Sequence, residues 1–189
     1  MPNLNFVKAT INNLNSRLPR RDILVDTNVL LDLFGGENRF RYDKLWEYSL
    51  ENDLTLYVTT LTISEYINRK CRNAFEVYQE NLSIREENGE SIDDVEFEYK
   101  RGFQKTSEYE SVFNESLKQV EIILNDAKLI NIDHNELKNI EPSKYNLKDY
   151  NDAIFYYLAT KYSFGIVTHD RDFLESRAPL DVVRFHFHL

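Results

Sequence analysis

The run Ile23-Leu24-Val25-Asp26-Thr27-Asn28-Val29-Leu30-Leu31 constrains the fold more than any other stretch of this chain. Ile23, Leu24 and Val25 read as a short strand buried on both faces. Asp26, Thr27 and Asn28 are residue types that open helices, and the apolar residues after them continue at helical spacing. A buried strand that passes at once into a helix is half of a β-α unit. Chains built from such units form parallel sheets covered by helices.

The rest of the chain repeats the pattern. Residues 54–58, 129–132, 165–168 and 181–187 read as further strands, the last at a sheet edge. Helices are expected from Thr27 or Asn28 to Gly35-Gly36, over 40–50, from about residue 60 onward, and over 148–162. Residues 142–145 read as a turn or helix entry, and 170–174 as a tight turn or short helix. Leu4, Val7, Ile11, Leu14 and Leu18 recur at three- and four-residue steps, which predicts an N-terminal helix ended by Pro19. Only 5 glycines and 4 prolines occur, which favours long helices over a turn-rich sandwich.

The expected class is therefore α/β: a three-layer α/β/α arrangement with a parallel sheet of about five strands. The 189 residues suit a single domain with an N-terminal helical extension over 1–20. Residues of about 66–127 read as two long antiparallel helices broken near 88–91, an extended hairpin inserted between the second and third strands. This arm is read as a solvated one, rich in exposed charge. The functional alternative is a substrate or partner clamp using Arg85, Lys100, Arg101 and Lys105.

In parallel sheets, ligands gather beyond the carboxyl ends of the strands. Asp26 and Asp170 lie there, with Asp172 two residues on and Glu65 near the start of a helix. Asp152 lies early in the helix before the fourth strand, and Asp149 precedes it by about one turn. Assembling carboxylates without cations is unfavourable, because like charges repel. Hard oxygen donors suit Mg²⁺ or Mn²⁺, and two such ions about 3.5–4 Å apart assist in-line displacement at phosphorus. Asn28 and Thr168 are neutral groups placed to support the acids. Each acid also has a plainer reading: Asp26 as a helix cap, Glu65 as a first-turn charge, Asp170 and Asp172 as turn residues, Asp149 as a solvated group. Their joint occurrence at matching strand ends favours metal chemistry.

His169 reads as a loop residue beside Asp170, and His186 and His188 as an exposed strand face. His134 carries no signal, and no glycine-rich phosphate loop, nucleophile elbow or zinc signature occurs. The net charge of −9 argues against a protein that coats nucleic acid with a basic surface. Bound divalent metal reverses the sign locally. The one cysteine, Cys71, excludes an internal disulfide and a four-thiolate zinc site. With no apolar run of bilayer length and no signal-peptide core, a cytoplasmic protein without membrane contact is expected.

Four pieces together resemble the PIN domain family of metal-dependent ribonucleases. They are Val25-Asp26-Thr27-Asn28-Val29-Leu30, Ser64-Glu65, Asn151-Asp152-Ala153 and Val167-Thr168-His169-Asp170-Arg171-Asp172-Phe173, in the family's order. The resemblance spans roughly residues 21–187. It implies an endoribonuclease with one or two Mg²⁺ or Mn²⁺ ions, whose products carry 5′-phosphate and 3′-hydroxyl ends. Asp26, Glu65, Asp152 and Asp170 match the family's acidic residues, and Asp172 and Thr168 its supporting positions. Small members include VapC-like toxins, so an antitoxin or another protein partner and a homodimer are among the implied associations. The N-terminal extension and the long arm depart from a minimal member. Two other functions compete: a non-catalytic PIN-like module that binds RNA or protein, and a structure-specific DNA nuclease. An aspartyl-phosphate phosphatase of the haloacid-dehalogenase type wants an Asp two residues after Asp26, where this chain has Asn28.

Overall fold

A computed structural model describes residues 22–36 and 39–170, and the backbone of two strands at 6–9 and 182–185. The elements run β1 (Phe6–Ala9), β2 (Ile23–Val25), α1 (Thr27–Phe34), α2 (Tyr42–Glu51), β3 (Leu56–Thr59), α3 (Thr60–Glu87), α4 (Ser107–Asp126), β4 (Ala127–Ile130), α5 (His134–Leu137), α6 (Pro142–Tyr145), α7 (Tyr150–Tyr162), β5 (Gly165–Val167) and β6 (Val182–Phe185). The chain forms two compact units. One comprises residues 1–63 and 124–189, the other residues 64–123.

The first unit holds a six-stranded sheet in the order β1-β6-β5-β2-β3-β4. Every pairing in it is parallel, as expected for an α/β chain whose strands are joined through helices. The central strands are short and wholly apolar: Ile23, Leu24, Ile166 and Val167 are fully buried. Leu24 and Ile166 share a core with Ala153, Ile154, Tyr156 and Leu158 of α7. Tyr57 of β3 stacks on Phe164, with ring centroids 4.4 Å apart. Val25 stands opposite Val167, and the Asp26 amide donates to the Val167 carbonyl at 3.1 Å, extending the ladder by one step. That register sets the residues after β2 beside those after β5.

The sheet has six strands where about five were expected, and its ends depart from expectation too. Residues 6–9, expected within an N-terminal helix, form strand β1, paired with β6 in register Phe6 to Val182. The remainder of the expected helix lies outside the described residues. The apolar spacing there fits a helix, but local preference is a weak prior, and pairing with a neighbouring strand overrides it. In consequence β6 lies inside the sheet, between β1 and β5, and the edge position passes to β1. Strand β4 begins at Ala127, two residues before the expected start.

In the second unit, Tyr66 donates a short hydrogen bond to Gln119, and Lys70 lies 3.9 Å from Glu115. Matching four-residue steps in opposite directions make α3 and α4 antiparallel. The segment between them is longer than the expected break. Helix α3 ends at Glu87 and Gly89 takes a φ of +90°, a conformation that suits glycine. Two 3₁₀ turns follow, at Asp94–Phe97 and Phe103–Lys105, before α4 begins. Phe103 is fully buried and packs against Phe75, Tyr78, Tyr99 and Tyr109, with ring centroids 5.1–5.8 Å apart. Burying it requires a turn rather than a continuous helix. Among the described residues no helix is long and apolar enough to cross a membrane.

Candidate active site

The carboxyl ends of β2 and β5 are joined by a hydrogen-bond network. Asp26 precedes α1 in an extended conformation, and its side chain caps that helix by accepting from the Thr27 amide at 2.6 Å. Its other oxygen accepts from the Asn28 side-chain amide at 2.6 Å and from the Thr168 hydroxyl at 2.5 Å. Asn28 also donates to Thr168 Oγ1 at 3.1 Å, and its own carbonyl oxygen accepts from the His169 amide at 3.3 Å. Thr168 Oγ1 accepts in addition from the Asp170 amide at 2.9 Å. Asp26 therefore both caps a helix and anchors the start of the Asp170 loop. These roles are compatible, because one carboxylate offers about four lone-pair directions. Donors on both oxygens fix its orientation.

Asp152 sits, half-buried, in the first turn of α7. Asp149 is the N-cap of that helix, accepting from the Asn151 and Asp152 amides at 2.7 and 3.2 Å. Glu65 belongs to the second unit, where it pairs with Arg69 on the same helix at 3.0 Å. Asp172, His186 and His188 lie outside the described residues. The structure thus joins Asp26, Asn28, Thr168 and the Asp170 amide in one network. Among the described residues, no three His, Cys, Asp or Glu side chains form a group that could hold a metal ion. The donors present are of the type a hard divalent cation prefers.

Of the basic residues considered for the arm, Arg85 is paired with Glu90 and Arg101 with Glu98, each at 2.8 Å. Lys105 ends the second 3₁₀ turn. Lys100 lines a cavity in the second unit.

The sequence reading missed an aromatic wall next to the Asp26 network. The His169 ring stacks on Phe40, with centroids 4.6 Å apart and planes at 23°. Buried Tyr42 lies beside both rings, its centroid 6.0 Å from that of His169 and 6.1 Å from that of Phe40, with its hydroxyl 3.3 Å from His169 Nδ1. Arg39 extends over the Phe40 ring at 5.8 Å. The loop is anchored by Asp32, a buried carboxylate that accepts from the Phe40 amide at 3.1 and 3.2 Å. An acid within the apolar run Leu30-Leu31-Asp32-Leu33-Phe34 was the one available signal, since a buried carboxylate needs a fixed partner.

The PIN domain model matches residues 23–178. The chain belongs to the PIN domain family. That span contains β2 and β5 with the whole Asp26 network, as well as the inserted arm. The crystal structure of PAE2754 from Pyrobaculum aerophilum is similar over 94% of this chain and 93% of its own length, at 18% sequence identity and a TM-score of 0.49. No curated protein matches the chain. Membership in the PIN family accords with a nuclease-like fold.

Proposed function

We propose that this PIN domain is a metal-dependent endoribonuclease that cleaves RNA phosphodiester bonds. The observation that carries the reading is the Asp26-Asn28-Thr168-Asp170 network at the carboxyl ends of adjacent parallel strands in a PIN chain. Asp26 and Asp170, with Asp152, Glu65 and Asp172, are the proposed ligands for one or two Mg²⁺ or Mn²⁺ ions. Asn28, Thr168 and Asp149 are the proposed supporting residues. Bound metal supplies Lewis acidity toward the phosphate and eases deprotonation of the attacking water. The chain's own contribution is orientation: Thr168 and Asn28 hold Asp26 in one rotamer, and the Asp170 amide is fixed to the same hydroxyl. Preorganisation of this kind spares reorganisation during the reaction. Whether the activity serves as a VapC-like toxin, in RNA processing or in defence depends on the target and on any antitoxin, and it leaves the proposed chemistry unchanged.

The test is cleavage of matched single-stranded RNA and DNA by the purified chain. Cleavage of RNA with Mn²⁺ or Mg²⁺, lost in EDTA and giving 5′-phosphate ends, is the expected result. Cleavage undiminished by EDTA contradicts the reading, and cleavage of DNA alone favours the DNA nuclease.

A further inference from the structure

The second unit carries more acids than bases, and several of its cations are neutralised. Arg69, Lys70, Arg85 and Arg101 each lie within ion-pair distance of a glutamate. Arg72 and Lys100 have no such partner among the described residues, and both line a cavity of about 410 Å³. Tyr99, Gln104, Tyr109 and Phe113 line the same cavity. The Arg72 guanidinium lies 4.4 Å from the centroid of the Tyr99 ring, and Tyr109 stacks on Phe113 at 5.8 Å with planes 17° apart. A tyrosine hydroxyl is neutral near pH 7, so Tyr99 adds no negative charge to the cavity.

A simple packing void is lined by apolar groups alone. This cavity combines aromatic walls, Gln104 and two cations without carboxylate partners among the described residues. Aromatic faces interleaved with cations take a planar base with its phosphate: the ring stacks, and the phosphate meets the charges. The volume lies within the range of small-ligand sites. We propose that the cavity between α3 and α4 is a nucleotide subsite, in which a base stacks on the aromatic wall and its phosphate is bound by Arg72 and Lys100.

The subsite rests on the RNA reading for its biological ligand, a nucleotide of a single strand, although a free nucleotide has the same chemistry. The experiment is calorimetric titration of the full chain in EDTA with adenosine 5′-monophosphate and with a short single-stranded oligoribonucleotide. Adenosine and inorganic phosphate serve as half-ligands. The nucleotide or the oligonucleotide is expected to bind, with each half-ligand weaker. Arg72→Gln and Lys100→Gln are each expected to lower affinity about tenfold, and Tyr99→Leu by a similar factor. Lys118→Gln, outside the cavity lining, is expected to change little. Lys100 is exposed, so its variant keeps the fold even if Tyr99→Leu does not. Binding by the oligonucleotide alone, still dependent on Arg72 and Lys100, supports the subsite with a strand as its source. Absence of binding overturns the proposal. So does affinity unchanged in both cation variants, or a loss in Lys118→Gln as large as theirs. Nucleotide binding here in a chain that never cleaves RNA leaves the subsite standing while removing the ribonuclease. Cleavage without binding that depends on these residues does the reverse.

Discussion

Thr168 concentrates the candidate site's geometry in one hydroxyl. It is fully buried, donates to Asp26, and accepts from Asn28 and the Asp170 amide. Valine keeps its shape and removes all three contacts, leaving the Asp170 amide without this acceptor. Thr168→Val is expected to lower unfolding free energy by about 1–3 kcal/mol and RNA cleavage by about 10–100-fold, with Thr168→Ser recovering both. Urea denaturation and initial rates measure the two effects, and a valine variant equal to wild type would remove Thr168 from the network's function. At this scale the polar residues beside the strands were legible, because strand ends and helix caps are local signals. The His169 stack on Phe40 and Tyr42 was not. His169 and Tyr42 are 127 positions apart, and nothing in either local sequence announces the other.

At the scale of elements, the second unit depends on a turn as much as on its helices. A Cβ added to Gly102 would lie 2.3 Å from the Val95 carbonyl oxygen and 2.5 Å from that of Glu96. Both are backbone atoms that cannot swing aside. Gly102→Ala is expected to destabilise this unit by about 1–3 kcal/mol, read as faster amide exchange in α3 and α4; unchanged exchange would mean that the turn relaxes freely. In the first unit, α5 is tied to α7 by Glu136, which accepts from Lys161 at 2.5 Å and from Tyr157 at 3.1 Å. The hydrogen bond from Lys161 is the main cause holding the Glu136 carboxyl below its ordinary range. A carboxyl depressed in the folded state contributes stability above its unfolded pKa, and that contribution fades as pH falls through the folded value. Thermal scans at successively lower pH should therefore show Glu136→Gln losing less stability than wild type once pH drops below the ordinary carboxylate range. Identical slopes would show the pair to be inert. The inner strands β2, β3 and β5 were legible as apolar runs bounded by caps. Strand β1 and the interior place of β6 were not, because the pairing of Phe6–Ala9 with Val182–Phe185 joins the two ends of the chain.

For the molecule as a whole, the net charge of −9 sets the terms on which an RNA can approach. Carboxylates at the strand ends repel a phosphate backbone until a cation neutralises them. Metal binding is thus central to the proposed function, in which both cleavage and RNA attraction depend on it. The family span over residues 23–178 accords with a nuclease-like fold, and the Asp26 network fixes the orientation of one proposed ligand. The direct measurement is calorimetric titration of Mn²⁺ into the full chain and into Asp26→Asn, with circular dichroism confirming that both are folded. Saturable binding by the wild-type chain, lost in Asp26→Asn, is the predicted result. No binding at millimolar Mn²⁺, or equal binding by both chains, would contradict it.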